Sequence, residues 1–488
     1  MRSGVRACAL ALVAPVALAA LAACAPLPTR HASGPIADIA PDVAPVSAAA
    51  LSPVYATEAA RVDAAERIWR LIAERFYDPA LNGVDWQRVR SRTLARVAAA
   101  ASDAEFYRAL KDMAAALGDS HTVVLTPREA LDRRRYASTR IGVHLAFVEG
   151  RVAVAEVEAD SPAAHAGIAP GDVILSTNGV RFDEQFVRAA LADPRFLHSD
   201  VAAGDGPQAL PADARDAERV RVMRAVRRAL RPAPMQPDGA LVFEFERADG
   251  ARLRTSLAPV SYARPPRAEL RWLPGEVALI RLTRFAPELH AELDQALDEA
   301  ARASALIVDL RGNSGGLLEM FRWFAGAFLP EDRFALRSLR RERGNARAQQ
   351  VSYLRVGPPR GAARAPLTQP LAVLIDGRSA SAAELTAVTL AEQRGALLVG
   401  EPSCGCVVGV RFEYVLPDGG GVRIAETGFL SAQGLRLEGV PLTPAVRVTP
   451  TLADLRSGRD AALEEAHRLL RAGARTAVGT LPVAAEAP

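Results

Sequence analysis

The 488-residue sequence predicts an α/β protein in which a helical N-terminal segment and an inserted β-rich module precede a strand–helix core. Three observations carry that prediction. Apolar residues recur at helical spacing from Thr57 to Leu117. The period changes to that of strands from Ile141. From about residue 266, short buried-strand runs alternate with helical stretches.

The elements follow in order. Ile68, Leu71, Ile72 and Phe76 mark one face of a first helix, a second begins near Trp86, and Ser102-Asp103-Ala104-Glu105 is a capping box that opens a third, running to Leu117. That helix stops at the polar turn Gly118-Asp119-Ser120-His121-Thr122. Strands are predicted over Gly142–Val148, Arg151–Val157 and Asp172–Thr177, with a glycine-bearing turn at Gly167 and Gly171. An arginine-rich helical stretch, Asp213–Leu230, interrupts the module before strands at Leu241–Arg247 and Arg252–Ala258 close it. In the last block Val277–Leu282, Ala305–Leu310 and Leu371–Ile375 read as buried strands, and Pro287–Ala303 and Ala382–Glu392 as helices. Pro417-Asp418-Gly419-Gly420 breaks two strand-like runs as a hairpin turn. The domain reading is 1–24 leader, 25–55 flexible tether, 56–136 helical domain, 137–262 β module with its helical insertion, 263–475 core and 476–488 tail.

Composition excludes several functions. Among 60 lysine and arginine residues Lys111 is the only lysine, and Asp112 follows it, so a phosphate-binding loop of the G-x-x-x-x-G-K-[ST] type is absent. The formal charge of +4 comes from scattered arginines without aromatic interleaving, which argues against nucleic acid as a partner. No residue pattern calls for a cofactor or a metal. The first residues read as an address: Arg2 and Arg6, a short apolar run, then Leu21-Ala22-Ala23-Cys24. That ending resembles a bacterial lipoprotein processing box, which implies a lipidated Cys24. A periplasmic protein held to a membrane follows, the outer membrane favoured by Ala25. Beyond Cys24 an exported chain carries only Cys404 and Cys406, too few for a disulfide scaffold and a possible redox pair.

An exported enzyme without a cofactor loop points to hydrolysis. A serine nucleophile needs a base in hydrogen-bond reach and a group that orients the base. Among the seven histidines His121 stands apart, in a turn just past a helix end. In Ile375-Asp376-Gly377-Arg378-Ser379-Ala380-Ser381-Ala382-Ala383-Glu384 a buried strand gives way to a helix of small residues. A serine there faces helix N-terminal N–H groups suited to a developing oxyanion, though Ser379 or Ser381 acting as a plain helix cap stays open. Asp309-Leu310-Arg311-Gly312-Asn313-Ser314-Gly315-Gly316 is a second glycine-rich turn after a strand.

Taken in order, Phe76-Tyr77-Asp78-Pro79 with Gly83-Val84-Asp85-Trp86, Leu117–Thr122, Asp309–Gly316, Ser379–Glu384 and Gly400-Glu401-Pro402 make the chain resemble the tail-specific, or C-terminal-processing, serine peptidases. The resemblance implies a spiral, crotonase/ClpP-like α/β core with an inserted PDZ-like module. The groove of that module, around Ile141, Gly142 and Val143, would take a substrate's C-terminus. The lysine of that family's serine–lysine dyad is missing, its place after Gly-Glu-Pro being held by Cys406. Instead Ser120-His121 and Leu437-Glu438-Gly439-Val440 resemble the serine–histidine pair and the glutamate segment of tricorn-type peptidases. The resemblance implies Ser381 as nucleophile, His121 as base, Ser120 and Glu438 in support, and an oxyanion held by N–H groups at Ala382 and Gly315. The implied activity is hydrolysis of unfolded or tail-exposed envelope proteins. An inactive adaptor and a carrier of apolar ligands are the alternatives on the same fold.

Overall fold

The computed structural model describes residues 52–192, 214–230, 240–342, 345–358 and 365–473. Lipidation at Cys24, the leader and the 476–488 tail lie outside these residues.

The central sheet explains where the chemistry sits. Its order is 268–273, 277–282, 305–309, 371–375, 397–400, 446–447, and every pairing beyond the first antiparallel one is parallel. Ala305–Asp309, Leu371–Ile375 and Leu397–Gly400 are buried at every position, as strands covered on both faces must be. Parallel register places their carboxyl ends side by side, with Asp309 opposite Leu374 and Ile375 opposite Gly400. The three loops that follow, 310–317, 376–381 and 401–407, therefore open at one edge, where α/β sheets hold ligands.

The helix Ala382–Arg394 is buried along Ala382–Glu392, because small and apolar residues lie on all its sides. It packs against the strands 333–342 and 421–431 of a second sheet as well as against strand 397–400. That second sheet runs 123–125, 421–431, 333–342, 345–356, with 408–415 hairpinned onto 421–431 through the predicted Pro417–Gly420 turn. Strand Val123–Leu125 pairs antiparallel with 421–431, and this pairing carries the preceding turn, with Ser120 and His121, onto the core.

The N-terminal helices form as the pattern predicts: Glu58–Arg75 capped by Thr57, Trp86–Ala98 capped by Asp85, and Asp103–Ala115 capped by Ser102. The third ends two residues short of the predicted Leu117. Its Glu105 carboxylate accepts from Ala101 N–H and not from Ser102 N–H, so only half of the reciprocal box forms. The tether ends before residue 55. Ser52 N–H donates to Asp103 Oδ1 at 2.8 Å, and Tyr55 is buried against Phe106, so these residues belong to the body. Among the described residues no helix is long and apolar enough to cross a membrane.

The β module is a sheet ordered 143–148, 151–157, 173–177, 241–246, 252–257, joined to the rest by a two-stranded neck of 137–140 with 260–263. Strand Val143–Val148 is its edge. The insertion helix Ala214–Ala229 packs against both that edge strand and the helix Glu184–Ala192. Its Val222, Ala225 and Val226, spaced as one helical stripe, are buried among Ile141, Phe147 and Ala190.

Candidate active site

Four backbone and side-chain bonds stitch the loops at the sheet's edge together. Asp376 Oδ1 accepts from Gly312 N–H at 2.9 Å, Ser379 Oγ–H donates to Leu310 C=O at 2.8 Å, Ala380 N–H to Asn313 C=O at 2.9 Å, and Cys404 N–H to Ser379 C=O at 3.0 Å. Ser379 is fully buried and also accepts from Asp376 N–H at 3.0 Å. Its hydroxyl is a structural pin and does not face a substrate.

Ser381 is different. It is half-buried at the N-terminus of helix Ala382–Arg394, with φ 55° and ψ −119°. A serine in positive φ is uncommon and strained; such residues cluster where a reactive group must be presented on a sharp turn. The turn is held by Glu384. This fully buried carboxylate accepts from Ser403 Oγ–H at 2.5 Å, Gly405 N–H at 2.7 Å, Cys406 N–H at 2.9 Å and Ser381 N–H at 3.1 Å. Burial pushes it up to about 7 despite those donors. Its role was missed from sequence, although the Ser-x-x-Glu spacing from Ser381 to Glu384 was visible.

The other side of the site is a chain of polar groups. Glu438 Oε1 accepts from Ser120 N–H at 2.7 Å, and Oε2 accepts from Ser120 Oγ–H at 3.0 Å and Val407 N–H at 2.7 Å. Ser120 Oγ lies 2.6 Å from His121 Nδ1. The single hydroxyl proton of Ser120 goes to Glu438, so Nδ1 carries the histidine's proton and donates it to Ser120 Oγ, which leaves Nε2 as the basic nitrogen. Burial, then the charges of Arg423 and Arg133, lower His121 to about 3, while burial and the nearby Asp119 raise Glu438 to about 8.

One peptide plane links the two halves. The Cys406 C=O accepts from Ser381 N–H at 3.0 Å, and the Val407 N–H of the same peptide binds Glu438. The structure thus brings Ser120, His121, Glu438 and Ser381 to one place; Ser381 and His121 are not hydrogen-bonded to each other in it. Cys404 and Cys406 are joined by a disulfide, with Cα atoms 5.2 Å apart, across the turn that carries this peptide.

The oxyanion reading needs one correction. Gly315 sits where expected: a Cβ there would lie 2.6 Å from Ser381 Cβ and 3.0 Å from Ala382 N, so only glycine fits. Its N–H, however, donates to Asn313 Oδ1 at 2.9 Å and is not available to a substrate oxygen. The N–H groups of Ala382 and of Gly316, the residue after Gly315, bind no acceptor among the described residues. Gly316 has φ 148° and lies so close to Phe285 C=O that a Cβ would come within 2.1 Å of the oxygen.

The three residues named for the β module's groove, Ile141, Gly142 and Val143, stand at the start of its edge strand. Gly142 has φ 84°, and a Cβ there would come within 2.1 Å of Ser161 Cβ, so both the backbone and the space call for glycine. The apolar groove between this strand and the helix Glu184–Ala192 holds the insertion helix, and Arg219 of that helix pairs with Glu401 of the core at 2.5 Å. Sequence reasoning found the helix but not its seat.

Comparison with known proteins agrees with this architecture. Residues 276–448 match the model described as Peptidase family S41, 66–115 the Tricorn protease C1 domain and 153–194 a PDZ domain. Carboxyl-terminal-processing peptidase 3, chloroplastic, of Arabidopsis thaliana is 26% identical over 399 residues, spanning 79% of this chain and 68% of that protein. The carboxyl-terminal-processing protease of Synechocystis sp. is 26% identical over 417 residues, 83% of this chain and 86% of the relative. Among solved structures mature CPAF shares the fold, with a TM-score of 0.59 at 13% identity over 87% of this chain and 99% of that one. The chain carries a peptidase family S41 domain over residues 276–448, with Tricorn C1 and PDZ domains before it, and is a serine-type peptidase similar to the carboxyl-terminal-processing proteases.

Proposed function

We propose that the chain is an exported endopeptidase of unfolded or tail-exposed envelope proteins, and that its base is a histidine. The observation that carries this reading is the Glu438–Ser120–His121 chain, tied through the Cys406–Val407 peptide to Ser381. Ser381 Oγ attacks the peptide carbonyl as His121 Nε2 takes its proton. The imidazolium that forms is stabilised through Ser120 by Glu438. Ala382 N–H, with Gly316 N–H in place of Gly315, receives the oxyanion. His121 then protonates the leaving amine, and water hydrolyses the acyl-enzyme. The sequence ending in Cys24 supports a lipid anchor in the periplasm, the outer membrane favoured. An unfolded protein incubated with the purified enzyme is expected to be cut into discrete fragments, with none in the Ser381→Ala variant. Equal cleavage by that variant would refute the reading.

The PDZ-like module serves substrate tails in this account only after the insertion helix leaves its groove. Val222 and Val226 fill the apolar space that a tail's side chains would use. Val226→Asp is expected to raise affinity for a carboxyl-terminal tail peptide about tenfold or more, since the charge weakens the helix's docking. An unchanged Kd in a variant that keeps its melting temperature would show that tails bind elsewhere.

A further inference from the structure

The turn 403–407 is the seam between the two halves of the site, and a disulfide closes it. One side of the seam is bonded to the nucleophile's turn. Cys404 N–H donates to Ser379 C=O at 3.0 Å, Ser381 N–H to Cys406 C=O at 3.0 Å, and the Gly405 and Cys406 N–H groups both to Glu384. The other side is bonded to the segment of Glu438. Val407 N–H donates to Glu438 Oε2 at 2.7 Å, Gly439 N–H to Gly405 C=O at 2.8 Å, and Leu442 N–H to Ser403 Oγ at 2.8 Å. Gly405 has φ 70°, and a Cβ there would lie 2.8 Å from Pro441 N, so only glycine fits this turn.

The Cys404–Cys406 bond spans a single residue. Disulfide stabilisation grows with the length of the loop that is closed, so this short link does little for the chain as a whole. What it fixes is local. The Cys406–Val407 peptide holds Ser381 through its carbonyl and Glu438 through its N–H, and the bond sets the direction of that peptide. Cys406 is buried and Cys404 is partly exposed, so an incoming thiolate has one sulfur within reach.

We propose that Cys404 and Cys406 are a redox-set positioning pair: their disulfide keeps Ser381 in line with the Glu438–Ser120–His121 chain, and thiol–disulfide exchange switches the rate of acylation. A dithiol reductant attacks Cys404 Sγ through one thiolate. The S–S bond breaks, and Cys406 leaves as a thiolate that takes up a proton. The reductant's second thiolate then displaces Cys404, which is protonated in turn. Two electrons and two protons pass to the protein, and the reductant ends as a disulfide. The proposal rests on the peptidase reading of Ser381 and His121.

The purified enzyme is compared in three forms: disulfide-bonded, reduced with dithiothreitol, and re-oxidised with glutathione disulfide. Alkylation and peptide mapping at Cys404 and Cys406 verify each form, and fluorescein-labelled β-casein, an unfolded protein without cysteine, is the substrate. Reduction is expected to lower kcat about tenfold or more and to change KM by less than about twofold, since the bonds that the pair holds belong to the catalytic groups. The rate at which a fluorophosphonate modifies Ser381 should fall in step, and re-oxidation should restore both. The folded double variant Cys404→Ala, Cys406→Ala is expected to show the reduced enzyme's rate with or without dithiothreitol. An effect confined to KM, a response that survives in the double variant, or a bond that the reductant leaves intact would overturn the proposal. Equal labelling of Ser381 in the oxidised and reduced native enzyme would sink this inference alone, whereas no labelling in either form would count against the peptidase reading.

Discussion

His121→Ala is expected to slow peptide hydrolysis by about 10⁴-fold or more, comparable to Ser381→Ala, because a serine hydroxyl without its base is a poor nucleophile and members of such a unit fail together. No lysine stands in for it. The place that the dyad's lysine would hold, four residues beyond Pro402, is Cys406, disulfide-bonded to Cys404, and Lys111 is bound to Glu129 at 2.6 Å. The pH dependence carries a sign. His121 lies at about 3, below the ordinary histidine value near 6.5, so Nε2 stays unprotonated throughout the interval between them. The acid limb of kcat/KM is therefore expected below pH 6. The same depression means that the unfolded chain takes up a proton that the native chain refuses, so the contribution of His121 to stability falls as pH drops from about 6.5 towards 3, while the raised carboxyls of Glu384 and Glu438 act in the opposite sense between about 8 and 4.5. A pH–rate profile beside melting curves over that range measures both.

Glu384→Ala is expected to be the second severe change, and its cause is positional. The substitution leaves the Gly405 and Cys406 N–H groups and the Ser403 hydroxyl without their acceptor in a fully buried pocket, and Ser381 N–H with Cys406 C=O alone. Each unpaired buried donor costs about 1–3 kcal/mol before relaxation. The turn 403–406 and the strained backbone of Ser381 hang on the same carboxylate, so a loss on the order of 100-fold in kcat is expected alongside a lower melting temperature. Glu384→Gln keeps the size and one acceptor oxygen and should recover part of both. Wild-type activity in a folded Glu384→Ala protein would show that the turn is held by its other contacts.

Much of this was legible in the sequence because the signals were local. The run of small residues after Ile375 narrowed the nucleophile to Ser379 or Ser381, and the polar turn after a helix end set His121 apart, while the choice of Ser381 and the role of Ser120 came from resemblance. Glu438 was legible only by resemblance, since 318 residues separate it from Ser120 and no spacing rule spans that distance. What stayed hidden depends on direction, not identity. Whether Gly315 or Gly316 offers its N–H turns on where Asn313 Oδ1 lies. The stripe Val222, Ala225, Val226 could be read as apolar, but its partners around Ile141 and Phe147 lie far upstream.

The central claim is that His121 serves Ser381. The most direct measurement is the rate at which a fluorophosphonate modifies the enzyme from about pH 4 to 9, followed by intact mass and peptide mapping, in the native protein and in His121→Ala. The account requires a single adduct on Ser381, labelling that persists through about pH 5, and a rate lower by orders of magnitude in the variant. Labelling of Ser381 at the same rate without His121, or an adduct on another residue, would contradict it.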